Sequence, residues 1–140
     1  MNDNDIEIFL PIEPPSATQQ EKQVNWKTET LYQGASSKDA KEKLRAYLVK
    51  HIPDQMIAPP IEMAVIYGFG LKAKHKTGEW KSTKPDLDNL QKALQDAMTE
   101  LGFYKDDSHI AKLSVLKFWT YHPGISITLK HMEGDVYGGS

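Results

Sequence analysis

A run of alternating large apolar residues between Ile61 and Leu71 constrains the fold of this chain more than any other feature. Every second position is apolar, and glycines occupy two of the positions between them (Ile61, Met63, Val65, Tyr67, Phe69, Leu71; Gly68, Gly70). Because successive side chains of a strand point to opposite faces of a sheet, this pattern predicts a strand with one buried face. It is the clearest strand in the sequence.

Two strands and a helix are predicted before this strand. Residues 6–12 are predicted to form the first strand, and Pro14-Pro15 ends it because proline cannot donate to a ladder. A loop follows, and residues 27–32 are predicted to form a short second strand. A helix with an N-cap at Ser36-Ser37 then extends to Pro53, as apolar residues at helical spacing indicate (Ala40, Leu44, Tyr47, Leu48, Ile52).

A second helix and two further strands are predicted after it. The helix spans Asn89 to Leu101, and Gly102 ends it in the left-handed conformation (apolar face Leu90, Ala93, Leu94, Ala97, Leu101). Residues 110–119 and 125–130 are separated by a proline-glycine turn, which predicts a β-hairpin. Residues 133–140 are predicted to be a frayed tail.

This order of elements predicts an α+β fold with two layers, in which both helices pack on one face of a mixed β-sheet. With 140 residues, 39% of them hydrophobic, the chain is expected to form one domain, residues 1–140, around a single core. No apolar run approaches the roughly 20 residues that span a bilayer, and the polar start does not resemble a signal peptide. A cytoplasmic protein with no membrane partner is therefore expected.

The candidate catalytic and metal-binding residues begin at the start of the second helix (Lys84-Pro-Asp-Leu-Asp-Asn-Leu-Gln-Lys92). In an extended segment Asp86 and Asp88 share a face, because side chains at i and i+2 point the same way. Asp88 is then the predicted N-cap, with Gln91 completing a capping box, and Lys92 lies one turn further on the same face. The motif predicts two convergent carboxylates with a lysine beside them.

A second acidic pair, Asp106 and Asp107, follows this helix and joins the first pair if the connection is tight. Carboxylates held together repel one another unless a cation neutralises them. The chain contains no cysteine, so a metal must be held by oxygen or imidazole, and Mg²⁺ prefers oxygen, with Mn²⁺ as a substitute. The residues predict metal-dependent phosphodiester hydrolysis in which Lys92 neutralises charge on phosphorus, with Asp106 as a weaker candidate ligand.

The segment before the motif is cationic, although the whole chain has 17 basic and 19 acidic residues. Its lysines are predicted to bind DNA phosphates (Lys72, Lys74, Lys76, Lys81, Lys84). Arg45 is the only arginine, so bidentate recognition of guanine is almost excluded and binding is expected to depend on backbone and shape. His75 and His109 are weaker site candidates.

Each of these residues also has an ordinary explanation. Taken singly, Asp88 is a helix cap, Asp106-Asp107 a solvated turn and Lys92 an exposed helix lysine. A non-catalytic DNA-binding module is therefore the main alternative to an endonuclease. A nuclease that cuts other branched DNA, such as flaps or forks, or RNA is a third possibility, because metal–phosphate chemistry is indifferent to branch geometry.

The acidic motif, the following Gly102-Phe-Tyr-Lys-Asp-Asp107 and a strand carrying Lys117 resemble the RusA family of Holliday-junction resolvases. The opening Leu10-Pro-Ile-Glu-Pro-Pro-Ser16 is similar to the N-terminal strand and proline turn of that family. The resemblance implies a homodimeric, magnesium-dependent endonuclease of DNA recombination and repair, generally from phage or prophage. Such an enzyme makes paired symmetric nicks in a four-way DNA junction.

The resemblance also assigns roles to single residues. It implies that Asp86, Asp88 and Asp107 bind the metal and that Lys92 is essential. Trp119 and Tyr121 are candidates for a dimer surface, although buried aromatic packing is the simpler interpretation of both.

Overall fold

The computed structural model describes residues 5–15, 24–25, 30–31 and 37–138. These ranges contain, in chain order, β1 (Ile6–Leu10), β2 (Val24–Asn25), β3 (Thr30–Leu31), α1 (Ser37–Leu48), β4 (Ile61–Gly70), α2 (Leu87–Leu101), β5 (Ile110–Thr120) and β6 (Gly124–His131). Short 3₁₀ turns follow α1 at Val49–His51 and precede β5 at Asp107–His109. No helix within these ranges has the length and apolar character needed to cross a membrane.

Strand β4 lies inside a four-stranded mixed sheet with the order β1-β6-β4-β5. β6 pairs antiparallel with both β1 and β4, whereas β5 pairs parallel with β4. β2 and β3 form a separate two-stranded ladder. Of the predicted strand at 27–32, the structure describes residues 30 and 31, and both lie in β3. β2 itself lies in the predicted loop, and Ser36 lies outside the described residues. The predicted mixed sheet is confirmed.

The hairpin predicted from residues 110–119 and 125–130 is wrong. β5 and β6 lie on opposite sides of β4, with Thr120 beside Gly70 and Gly124 beside Gly68. Residues 121–123 cross the end of β4, where Leu71 N donates to Thr120 O at 3.1 Å. A short turn between two strands does not determine whether they pair with each other or with a third strand that lies between them.

One face of the sheet carries the core. The alternating residues of β4 are buried as predicted from Ile61 to Phe69, and Val65 is flanked in register by Ile127 and Val115. Both helices cover this face with apolar side chains (Ala40, Leu44, Leu48; Leu90, Ala93, Leu94, Ala97, Met98). Full burial of one large apolar side chain contributes about 1.5–3 kcal/mol, which explains why the period-two pattern predicts the layer correctly.

The parallel pairing of β4 and β5 determines the direction of α2. Ile110 at the start of β5 lies beside Ile61 at the start of β4, so α2 runs back along the sheet between them. Gly102 ends the helix at φ 87°, as predicted, and the N–H groups of Gly102 and Phe103 donate to the carbonyls of Thr99 and Met98. The two ends of α2 therefore lie at opposite ends of the sheet.

The close approach of β5 to β4 at Gly68 gives a prediction about stability. A Cβ at Gly68 would lie 2.8 Å from Thr120 Cγ2 and 3.2 Å from Phe118 Cε1. We expect Gly68→Ala to lower the free energy of unfolding by about 1–3 kcal/mol, because the β-branched Thr120 is stiff. Thr120→Ser removes the methyl group but keeps the hydroxyl that accepts from His122 N. The double variant should therefore recover part of the loss in urea unfolding, and an unchanged loss would contradict this explanation.

Candidate active site

Helix α2 begins at Leu87, earlier than the predicted Asn89. Asp86 is the extended N-cap residue; its side chain makes no capping hydrogen bond, and its carbonyl accepts from Leu90 N at 3.1 Å. Asp88 lies inside the first turn. The predicted N-cap at Asp88 and the extended Asp86–Asp88 pair are therefore wrong, because Leu87 and Leu90 both pack on the core as helical residues.

Gln91 does not form a capping box but is buried between α2 and β4. Its Oε1 accepts from the Tyr67 hydroxyl at 2.7 Å, and its Nε2 donates to Gln95 Oε1 at 3.0 Å and to Met63 Sδ at 3.0 Å. Burial raises the pKa of Tyr67 far above its ordinary value, so the hydroxyl remains a donor. This polar contact fixes α2 on β4, and sequence analysis missed it.

An open groove of about 450 Å³ runs between α2 and β5. Leu113 and Val115 of β5 supply apolar lining, and Asp107 contributes from the 3₁₀ turn before β5. Residues of α2 form the other wall (Leu87, Asp88, Gln91, Lys92, Gln95, Asp96). Asp88, Lys92 and Asp96 follow one another at intervals of four, so they share a helix face. Asp96 was missed by sequence analysis, although this spacing was the available signal.

Lys92 is the exposed cation of the groove. Its side chain is 78% exposed, and Nζ lies 3.9 Å from Asp96 Oδ2. An ion pair this exposed contributes at most about 1 kcal/mol. The ammonium group can therefore turn from Asp96 to a phosphate that enters the groove.

Asp106 and Asp107 have different surroundings. Asp106 Oδ2 accepts from Ser108 N at 2.9 Å and from the Ser108 hydroxyl, and these bonds lower the pKa of Asp106. This aspartate therefore caps its own 3₁₀ turn. Asp107 Oδ1 accepts from the Thr99 hydroxyl at 2.5 Å and the Tyr104 hydroxyl at 3.1 Å. Of the two, Asp107 is the one that lines the groove.

The two acidic pairs do not meet within one chain. Lys117 Nζ donates to Pro85 O at 2.6 Å, so Asp86 lies near residue 117 of β5, whereas Asp107 immediately precedes that strand. The strand from Ile110 to Lys117 spans roughly 23 Å at about 3.3 Å per residue. The expectation that the second pair returns to the first is wrong within a protomer, because the crossover sends the two ends of α2 to opposite ends of β5.

This separation limits metal binding by a single chain. Within the described ranges, no three Asp, Glu or His side chains lie close enough together to hold a metal ion. The carboxylate oxygens at each end of α2 suit Mg²⁺ chemically, but one protomer does not bring Asp86, Asp88 and Asp107 together. The three residues remain predicted ligands, but one protomer alone does not form the metal site expected of them.

The lysine segment is attached to the edge of β5. Gly78 N donates to Trp119 O, Trp119 N to Glu79 O, and Lys81 N to Lys117 O, at 2.8, 2.9 and 3.3 Å. Four of the five predicted DNA-binding lysines are exposed (Lys72, Lys74, Lys76, Lys84). These four lysines therefore remain accessible to a phosphate backbone.

Lys81 differs from the other four because it is buried. Its Nζ lies 4.1 Å from the ring centroid of Trp119 and donates to the Thr83 hydroxyl at 2.7 Å. Burial, followed by the nearby charge of Lys117, lowers the pKa of Lys81. The structure therefore gives Lys81 an internal contact in the loop instead of the exposed position that a phosphate contact requires.

The remaining candidates lie outside the groove. His75 stacks on Trp119 with ring centroids 4.2 Å apart and contacts Glu79 at 3.1 Å. Nδ1 of His109 is buried and has no hydrogen-bond partner among the described residues. Trp119 is buried, so the packing interpretation holds for it, whereas Tyr121 is 72% exposed.

Fold and groove together define a mixed-sheet α+β protein whose open groove combines carboxylates with an exposed lysine. The chain belongs to the RusA family: the family model described as Endodeoxyribonuclease RusA matches residues 11–130. It is 41% identical over 76 residues to the crossover junction endodeoxyribonuclease rusA of Lactococcus phage r1t, covering 53% of this chain and 58% of that protein. It is 31% identical over 110 residues to the uncharacterized protein YqaN of Bacillus subtilis, covering 71% of this chain and 77% of that protein.

The contacts of Lys117 predict how the segment before Asp86 is held. Its Nζ donates to Thr83 O and Pro85 O, both at 2.6 Å. Lys117→Met should lower the free energy of unfolding by about 1.5–3 kcal/mol, because it removes hydrogen bonds from a charged donor, and should speed amide exchange at residues 83–86. Lys112→Met on the same strand, which removes an exposed pair with Glu62 at 3.5 Å, is the control and should cost under about 1 kcal/mol. Equal effects of both variants would contradict this role.

Proposed function

We propose that this protein is a structure-selective endodeoxyribonuclease that cuts four-way DNA junctions by metal-dependent phosphodiester hydrolysis in the cytoplasm. The observation that carries the proposal is a RusA-family chain that presents the exposed Lys92, with Asp88 and Asp107 toward opposite ends, along one groove. The phage relative is named a crossover junction endodeoxyribonuclease, and the matched segment spans 58% of that protein. The proposal extends the named activity to the whole of this chain.

The proposed active form is a homodimer. The acids of one chain lie at opposite ends of α2, and a twofold axis brings the same surface of two protomers together with their ends exchanged. In such a dimer, Asp86 and Asp88 would lie beside Asp107 of the partner subunit, and two equivalent sites would face the two equivalent strands of a junction. A composite site of this kind explains why no three acids meet within the described part of one chain.

The proposed ligands of Mg²⁺, or of Mn²⁺ as a substitute, are Asp86 and Asp88 of one protomer together with Asp107 of the partner subunit. Bound there, the ion would polarise the scissile phosphate and activate a water molecule for attack. Lys92 would donate to a non-bridging phosphate oxygen, where its charge is worth most as negative charge accumulates on phosphorus. Lys92 therefore acts in the proposed reaction as an electrostatic stabiliser and not as a proton carrier.

The variants Asp88→Asn and Asp107→Asn should each abolish nicking of a synthetic four-way junction in Mg²⁺, since an amide is a poor substitute for a charged ligand. Asp54→Asn, an exposed acid outside the groove, is the control and should cut like the wild type. Junction, fork, duplex and single strand are compared side by side. Binding without any cutting in Mg²⁺ or Mn²⁺ would favour a non-catalytic DNA-binding module, and equal cutting of forks would favour a less selective nuclease.

Mixing these two inactive variants tests the composite site. If each site takes Asp88 from one protomer and Asp107 from the other, a mixed dimer contains one intact and one doubly altered site. The mixture should then nick one strand of a junction but not make paired cuts. If the mixture stays inactive although a mass measurement shows mixed dimers, all ligands lie in one chain. A monomeric mass at micromolar concentration would rule out the proposed dimer.

The exposed lysines of the loop should control the salt dependence of junction binding. Alanine at Lys72, Lys74, Lys76 or Lys84 is expected to lower the slope of log affinity against log salt by about 1 for each phosphate that is no longer neutralised. Binding is measured in EDTA so that no cutting interferes. Lys130→Ala, an exposed lysine outside the loop, is the control. Slopes that match wild type in all four loop variants would show that the DNA-binding surface lies outside the loop.

A further inference from the structure

We propose that Thr99 and Tyr104 are positioning residues that fix the carboxylate of Asp107 for metal binding. This inference rests on the proposed function, because it concerns the same site. Its basis is a set of contacts on one oxygen: Oδ1 of Asp107 accepts from Thr99 Oγ1 at 2.5 Å and from the Tyr104 hydroxyl at 3.1 Å. Tyr104 belongs to the segment from Gly102 to Asp107 that resembles the RusA family, but the sequence pattern assigned no role to it or to Thr99.

The two donors give the two oxygens of the Asp107 carboxylate different tasks. Hydroxyl groups that donate to Oδ1 occupy the lone pairs of that oxygen, so Oδ2 remains for a cation. A carboxylate held in this way presents one oxygen in one direction, which suits a cation that also takes oxygens from other residues and from water. Asp107 is thereby predisposed to act as a ligand through a single oxygen.

Both donors are themselves firmly held. Tyr104 is fully buried, and its single hydroxyl hydrogen is shared between Gln95 O on α2 at 3.2 Å and Asp107 Oδ1 at 3.1 Å. Thr99 belongs to the last turn of α2. Asp107 is therefore tied to the helix that also carries Asp88 and Lys92, although it lies outside that helix.

Asp106 stabilises the 3₁₀ turn that contains Asp107. Its carboxylate binds Ser108 N and the Ser108 hydroxyl, and His109 N donates to Asp106 O at 3.0 Å, which closes the 3₁₀ turn. The adjacent acids thus have separate tasks, because Asp106 shapes the turn and Asp107 faces the groove. Fixed placement matters in a composite site, since groups of its own protomer must orient Asp107 before it meets the acids of a second protomer.

The test removes the hydroxyls without changing the shape of the side chains. Thr99→Val, Tyr104→Phe and the double variant are titrated with MnCl₂ alone by calorimetry, and the manganese concentration for half-maximal junction cutting is measured separately. We expect about 10–100-fold weaker manganese binding, the usual cost of losing groups that orient a ligand, with junction affinity in EDTA unchanged. Thr99→Ser keeps the hydroxyl and should restore binding to near the wild-type value.

Tyr67→Phe is the matched control for loss of a buried hydroxyl. It removes the donor to Gln91 without touching Asp107, so it should lower stability while leaving manganese affinity near wild type. Wild-type manganese affinity in the double variant, or an equal loss in Tyr67→Phe, would overturn the positioning role and leave the endonuclease intact. Wild-type protein that neither binds manganese nor cuts a junction would overturn both proposals.

Discussion

The position of β4 between an antiparallel and a parallel neighbour is the constraint on which the rest of the structure depends. β6 can follow β5 after residues 121–123 only because the chain crosses the end of β4, where Gly70 lies beside Thr120 and Gly68 beside Gly124. Parallel pairing of β5 requires a crossover, and α2 is that crossover. The same requirement separates Asp86 from Asp107, since a helix that connects parallel strands begins and ends at opposite ends of the sheet.

α2 combines two tasks on two faces. Its apolar face and the buried Gln91 hold it against β4, while Asp88, Lys92 and Asp96 line the groove. The polar residues share a groove because they share a helical period, so their relative placement does not depend on loops. Asp107 lacks this advantage and receives its fixed position from Thr99 and Tyr104 instead.

Two lysines show how far a count of charges can mislead. Lys81 belongs to the cationic segment and Lys117 to β5. Lys81 lies over an aromatic ring, and Lys117 donates to backbone carbonyls of the segment before Asp86. They serve the shape of the loop, whereas Lys72, Lys74, Lys76 and Lys84 stay exposed. Only the surroundings of each side chain distinguish a lysine that binds a partner from one that holds its own chain.

The sequence by itself determined the α+β class, the buried face of β4, the end of α2 at Gly102, and the residues from which a family-typical acidic site would be made. The fold class, the buried face and the helix end follow from local period and from the conformational freedom of glycine, whereas the acidic residues were indicated by the resemblance to the RusA family. Only the tertiary structure decided that β5 and β6 flank β4, that α2 begins at Leu87, and that Asp107 lies far from Asp86. Strand partners and distances between segments depend on packing of residues remote in sequence, and a local pattern carries no information about that packing.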